Sequence, residues 1–511
     1  MLLLTHLPPE IIHHLLGFVD PQDLARIPRA CKALYLAVRA NTTLFKQIYL
    51  RHLDAPPQAA IDWEQSLKDF VRLQVLCSRD DVDSKKGDID FVHKTVTQLL
   101  KNAATEGVRP DGTVTVPYSR NAEILTDIFS TDSNQLAFLC RSFIYERARA
   151  EFHSQDVQYW HGGPKSEHQK SAHLHCLYGV PRLFAYPSAR RQTRHNLIHP
   201  FACSRVYDLR QFTEKNKWGP FMNDGSLIVD WEKVEAIMIV LGANMSNLGV
   251  SRIPMCEGFC SVPFAGTWPN SWKSPRLSQI PSAPPRQPDP LEHLDPYGIT
   301  GVWVRVVCFL DYTDFFAYNF GAGEQPPPHI PRPAIGVGQA TRLLLMRIFV
   351  TGVEKPGPED GQALSVVHFK GVSKSLDQSF DENAHSDLRG TVLVRGSVRL
   401  TPEGEVRWTT FSIFGGVERW SSESIQIGGV RSGKGVIGHW FDKDFDPRGP
   451  AGPTAFWKIS DKNWPGHNGR GDPDFLVEVD DLDAEYESAS DSDSWETDHD
   501  EDAAAAAAAG A

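Results

Sequence analysis

Six histidines lie between residues 161 and 199: His161, His168, His173, His175, His195 and His199. A metal centre needs donors that converge on one ion, and local ligands usually stand at short, regular spacing. His173-Leu174-His175-Cys176 is the one tight group. In a strand, alternation would put His173 and His175 on one face, but no second pair stands at a matching distance. These histidines therefore read as polar positions on a loop or helix rim, and no metal is expected. Cys256 and Cys260 have three residues between them, the wrong spacing for common zinc knuckles, and read as ordinary thiols.

Two further stretches imitate binding loops. Gly428-Gly429-Val430-Arg431-Ser432-Gly433-Lys434-Gly435 has the glycines and lysine of a phosphate-binding loop, but Gly435 stands where Ser or Thr would hold Mg²⁺. Residues 436–440 after it read as a strand, so no helix N-terminus faces a phosphate. A hairpin loop is the better reading. Asp442-Lys443-Asp444-Phe445-Asp446 opens like a calcium loop, yet Pro447 replaces the turn glycine and Pro453 the bidentate Glu. It reads as a rigid acidic turn. The chain has no Gly-x-Ser-x-Gly elbow, His-Glu-x-x-His helix or paired Cys-x-x-Cys. No cofactor and no catalytic role are expected.

The elements that must position these residues fall into blocks. Residues 55–160 read as a helical spacer, with helices around residues 63–76, 91–100 and 136–152, and a turn-rich break at 107–117. From Val206 onward β-forming runs appear at 236–241, 302–310, 343–350, 364–369, 390–400, 406–413, 423–426 and 435–440, separated by Gly, Pro, Asn and Asp. Residues 391–411 read as one long antiparallel hairpin. The fold class is α+β, with a large antiparallel β sandwich or barrel over residues 161–475. Two proline-rich insertions interrupt it, at 275–296 with seven prolines and at 326–333 with five. Proline cannot donate to a central ladder, so both read as surface segments.

Net charge is −12, but thirteen acidic residues and no Lys or Arg fall between Glu478 and Asp502, which leaves residues 1–477 near +1. A body so close to neutral argues against a nucleic-acid-binding surface. Residues 476–511, acidic with Ser488, Ser490, Ser492 and Ser494 and then alanine-rich, read as disordered and suited to an acid-directed kinase. Eight irregularly placed cysteines, no secretory leader and no long apolar run predict an intracellular protein of cytoplasm or nucleus, with no membrane partner.

The N-terminus is the densest apolar pattern. Pro8 and Pro9 open a helix, and Ile11, Ile12, Leu15, Leu16 and Val19 follow at three- and four-residue spacing. Asp20-Pro21 stops it and Asp20 can cap a second helix that turns Leu24 and Ile27 inward. A third helix spans about residues 29–39, and Leu44-Phe45 opens a fourth element. So few residues bury little surface alone. The stripe is covered either by a partner or by the rest of the chain, and pattern alone favours neither.

Leu7-Pro8, Glu10-Ile11, Leu15-Leu16, Asp20-Pro21-Gln22-Asp23-Leu24, Cys31-Lys32 and Leu44-Phe45, in this order, resemble an F-box over residues 1–52. Leu34 and Phe45 stand where many members carry Trp, and both keep an apolar side chain. The resemblance implies docking on the Skp adaptor of SCF (Skp–cullin–F-box) ubiquitin ligases through Leu7, Pro8, Ile11, Ile12, Leu15, Leu16 and Leu24. Residues 174–181, 206–210, 218–221, 229–235 and 435–458 are similar to a group of filamentous-fungal F-box proteins. The resemblance thus implies a non-catalytic substrate receptor for ubiquitin-dependent degradation, with a cullin-RING ligase recruited through the adaptor. Of the aromatic residues Trp408, Trp420, Trp440, Phe441 and Trp457, most read as β-domain core. Any that are exposed at a barrel mouth become candidates for holding the unknown target protein. A small-ligand binder or enzyme tethered by the F-box, and an F-box protein acting in assembly or trafficking without cullin, stay open.

Overall fold

A computed structural model describes residues 7–57, 61–105, 118–152, 165–185, 197–248, 259–272, 291–321, 326–328, 330–376 and 391–461. His161, His195, Cys256, most of the first proline-rich insertion and the acidic tail lie outside the described residues. The chain divides into two compact units, residues 1–140 and 141–511.

The first unit is helical: α1 (Pro9–Leu16), α2 (Pro21–Leu24), α3 (Lys32–Val38), α4 (Thr42–His52), α5 (Trp63–Cys77), α6 (Ile89–Lys101), α7 (Arg120–Ile128) and α8 (Asp132–Phe138). Four of the later helices start at side-chain caps: Asn41, Asp62, Ser119 and Thr131 each accept a backbone N–H from the first turn. Asp20 occupies the cap position of α2 but makes no such bond, so Pro21 at the first helical position is what starts that helix. Leu67, Phe70, Leu73 and Leu76 of α5 and Val92, Val96, Leu99 and Leu100 of α6 are buried at helical spacing, which is the face that holds the unit together. The helix expected over 136–152 is broken: α8 ends at Phe138 and α9 begins at Phe143.

The second unit contains α9 (Phe143–Phe152), α10 (Ser166–Tyr178), α11 (His199–Val206), α12 (Trp231–Asn247) and α13 (Tyr312–Phe320). Its eight strands are β1 (Gly301–Leu310), β2 (Gln339–Glu354), β3 (Val366–Ser375), β4 (Thr391–Leu400), β5 (Val406–Phe414), β6 (Val417–Gln426), β7 (Val436–Asp442) and β8 (Ala451–Ser460). All neighbours are antiparallel and consecutive, and β8 returns to pair with β1, so the sheet is a closed barrel. Among the described residues the strands expected from residue 161 begin at residue 301, preceded only by the isolated bridges Phe184–Leu197 and Phe221–Val229. Residues 166–247 supply helices instead. The run 236–241, expected as a strand, is the middle of α12, which Asp230 caps by accepting Lys233 N–H. A continuous apolar run cannot reveal its own period, because α12 is buried on every side. It packs on the outer face of β7, β8, β1 and β2, between α10 and α11.

Register sorts the strand residues by face. Trp303, Met346, Phe369, Trp408, Val406 and Phe456 meet in one buried cluster to which all strands but β6 contribute, and this marks the interior. Continuing along the same faces, Arg305 lies opposite Leu344 and Phe456, Thr410 opposite Ser422, and Gly438 opposite both Ser424 and Thr454. A polar, small-residue belt thus crosses the barrel above its aromatic core. Beyond the belt, Val307, Trp420 and Trp440 form a second apolar cluster at the other end. The proline-rich stretch near 330 makes a turn in which Ile330 N–H donates to Pro327 O at 2.9 Å. Arg210 donates to the carbonyls of Pro326, Pro327 and Ile330 at 2.5, 3.1 and 3.1 Å, which proline can still offer though it has no N–H.

Candidate functional site

The N-terminal helices build their own small core and leave a second apolar surface open. Leu16, Leu24, Val38, Leu44, Phe45, Ile48 and Tyr49 point inward. Asn41 fixes the corner between α3 and α4: its Oδ1 accepts Leu44 N–H, and its Nδ2 donates to Ala37 O at 2.9 Å and to His13 Nδ1 at 3.2 Å. That last bond holds the end of α1 against the corner. With α1 so oriented, Ile11 is 46% and Leu15 44% exposed, and Phe18, Tyr35 and Leu36 join them on the outside. Arg51 covers part of the Phe18 ring at 4.9 Å.

Of the residues expected to meet an adaptor, Pro8, Ile11 and Leu15 are exposed and Leu7 and Ile12 half-buried. Leu16 and Leu24 are not available, being 5% and 3% exposed within the unit's own core. The α1 stripe carries both exposed Ile11 and Leu15 and buried Leu16 because the four helices enclose only one side of α1, and Leu24 on α2 faces the same core. Phe18, Tyr35 and Leu36 belong to the open surface although the motif alone did not single them out. Beside it runs an apolar groove of about 710 Å³ between α2, α3 and α5, walled by Leu24, Tyr35, Val38, Leu67, Val71 and Val75.

The five aromatic residues weighed for target binding separate into three environments. Trp408 is fully buried in the barrel core, within 5.1–5.6 Å of the rings of Trp303, Phe369 and Phe456, and its indole N–H donates to Gln426 Oε1. Phe441 and Trp457 face outward and are covered, the first beside Trp218 and the second stacked on Phe259 at 4.3 Å. Trp420 and Trp440 meet edge to face at 5.2 Å. They line a cavity of about 210 Å³ at one barrel end with Phe309, Tyr312, Phe315 and Asp442. On the first turn of α13, Tyr312 begins an exposed ladder with Phe316 and Phe320, ring centres 6.0 and 5.0 Å apart. The four-residue spacing of these three aromatics behind the cap Asp311 was the signal that could have found it.

The stretches that imitated binding loops have structural explanations. His173 and His175 lie on α10 and not on a strand. His173 stacks on Trp231 at 3.7 Å, while buried His175 bonds Glu235 Oε1 at 2.7 Å. Residues 428–435 connect β6 to β7. Gly428 has φ +85° and a side chain there would meet the Thr267 backbone at 2.5 Å, so its glycine serves a close crossing. Lys434 is buried and donates to Gly179 O. Among the described residues no three His, Cys, Asp or Glu side chains gather as a metal requires. No described helix is long and apolar enough to cross a membrane. A cavity of about 400 Å³ beside the start of α12 is rich in charge, but its lining is paired internally. Arg205 bonds Asp230 at 3.0 Å, and Arg332 bonds Asp208 at 3.1 Å.

No curated protein and no solved structure matches the chain. Residues 4–51 match the F-box-like family, over the same four helices that enclose the small core and leave Ile11 and Leu15 outside it. The chain carries an F-box-like domain at residues 4–51.

Proposed function

We propose that this protein is the non-catalytic target-recognition subunit of an SCF-type ubiquitin ligase. The observation that carries the reading is the apolar face of Ile11, Leu15, Phe18 and Leu36, left open on a domain of a family whose members dock on the Skp adaptor. A surface of this kind is stable in water only at a cost, and a partner removes it. The second unit would capture the target, and the exposed α13 ladder of Tyr312, Phe316 and Phe320, beside a cavity walled by the buried Trp420 and Trp440, supports that role. Ubiquitin transfer then follows from proximity, with the receptor raising the effective concentration of target lysines near the charged enzyme.

The test is a pull-down with purified Skp adaptor, probed for cullin, comparing the intact chain with a variant carrying Leu7→Ala, Ile11→Ala and Leu15→Ala. Capture that depends on these residues and brings cullin supports the reading. Adaptor without cullin would favour the assembly role. No capture by the intact chain would overturn the reading.

A further inference from the structure

We propose that the barrel interior binds a small apolar molecule through its carboxylate, with Arg305 as the partner of that anion. Arg305 is 5% exposed, and the register turns it inward. Its one hydrogen bond runs from Nε to Thr454 Oγ1 at 3.0 Å, and no carboxylate among the described residues pairs with it. Among the described residues the two terminal nitrogens have no hydrogen-bond partner, and they are not among the fully buried polar atoms.

Elsewhere in the same unit the fold compensates such charges. Arg205 has Asp230, Arg332 has Asp208 and Arg407 has Glu423. Burial alone, with no neighbouring charge, draws the Arg305 pKa down to about 10, which marks a cation without a counter-ion. An isolated buried charge is costly and is kept where something pairs with it. A second unused group lies on the same inner belt: Ser424 Oγ is buried without a partner. Between Ser424 and Thr454 stands Gly438, which places no side chain there.

The neighbouring walls decide the rest of the ligand. Trp303, Leu344, Met346 and Phe456 surround Arg305 with apolar surface, so an inorganic anion would leave most of the lining uncovered. Along β1, Trp303 points to the closed aromatic core, then Arg305, then Val307 and Phe309 toward the cavity beside Trp420 and Trp440. A ligand entering from that cavity meets the guanidinium at depth, head first, and leaves its apolar body among the aromatics.

The full-length chain, stripped of bound lipid on a hydrophobic resin, would be titrated with decanoate, decanol and inorganic phosphate by calorimetry. Wild type is expected to bind decanoate at least tenfold tighter than decanol, and to melt higher with decanoate present. Arg305→Met should lose thirtyfold or more in decanoate affinity with decanol unchanged. Arg305→Lys should retain part of it. Unliganded Arg305→Met should melt no lower than wild type, because an unpaired buried charge has been replaced by an apolar chain of similar length. Equal affinity for acid and alcohol, binding of phosphate alone, or decanoate affinity unchanged in Arg305→Met would each overturn the proposal. So would no binding of decanoate by wild type, a result that needs no variant to fold. Adaptor capture is unaffected by any of these outcomes, so the two readings stand or fall separately.

Discussion

Asp54 and Asn121 bond each other in both directions: Asp54 N–H donates to Asn121 Oδ1 at 2.9 Å, and Asp54 Oδ2 accepts Asn121 N–H at 3.5 Å. The same carboxylate accepts Ser119 Oγ–H at 2.5 Å, Ala104 N–H at 3.0 Å and Arg120 N–H at 3.1 Å. Asn121 completes the knot by donating to Leu99 O at 2.9 Å. One buried side chain just past α4 thereby ties the F-box to the end of α6 and the start of α7. Asp54→Ala would orphan several buried donors at once, a loss of about 3 kcal/mol. Hydrogen exchange of α6 and α7 amides in the full chain should quicken by about a hundredfold, and a change below about threefold would contradict this role.

The open and closed sides of α1 predict opposite phenotypes. Ile11→Glu or Leu15→Glu should weaken adaptor binding by about a hundredfold in calorimetry, with the melting temperature unchanged, because each places a charge in the apolar interface. Leu16→Ala should cost about 2–5 kcal/mol of stability, because it empties a buried site on the closed side of α1. Equal effects of all three on melting would show that α1 is buried on both sides.

Within the barrel, Trp408→Ala should cost about 3–5 kcal/mol, since Trp408 contacts three other core rings. Trp420→Ala, at a cavity wall, should cost less, because a side chain already facing a void loses fewer contacts. Urea denaturation of both variants checks the order, and a larger loss for Trp420→Ala would place the core at the wrong end.

His439 makes the second unit acid-sensitive. It is 3% exposed on the outer face of β7, neither ring nitrogen has a partner, and the Phe212 ring lies 4.8 Å away. Burial first, then the positive charges of Lys233 and Arg205, hold its pKa down to about 3. The unfolded chain takes up a proton below about pH 6.5. Stability is therefore full above that value and falls as pH drops toward 3, by about 2–3 kcal/mol at pH 4.5. His439→Leu should remove most of that loss when unfolding free energies at pH 7 and 4.5 are compared. An unchanged acid loss in the variant would assign it to other groups.

Much of the architecture was legible where one face of an element is apolar and the other polar. The α1 stripe, the prolines that open the first helices, and the hairpin of β4 and β5 all carry such signals, and the structure reproduces them, although Asp20 makes no capping bond. Contrast disappears where both faces are buried, which is why α12 read as a strand. Residues 451–460 were not read as a strand for a related reason, since Gly452 and Pro453 disguise β8.

The site was less legible than the fold. Leu16 and Leu24 matched the motif as well as Ile11 and Leu15 did, because a motif records residue type and not which side the neighbouring helices cover. Arg305 was not singled out, because nothing in Val302-Trp303-Val304-Arg305-Val306 marks which face of the strand it takes. Only closure of the sheet shows that its face is the interior and that no acid waits there.

The pairing of Val302 with Ser460 joins the barrel's first strand to its last, across more than 150 residues of chain. During synthesis β1 through β7 emerge before β8 exists, and until it arrives β1 and β7 each offer an unsatisfied row of backbone donors and acceptors. A ribosome that stalls, or a stop codon before residue 451, would release a sheet with two adhesive edges rather than a shorter barrel. The same chain, left unfinished, becomes a substrate for quality control.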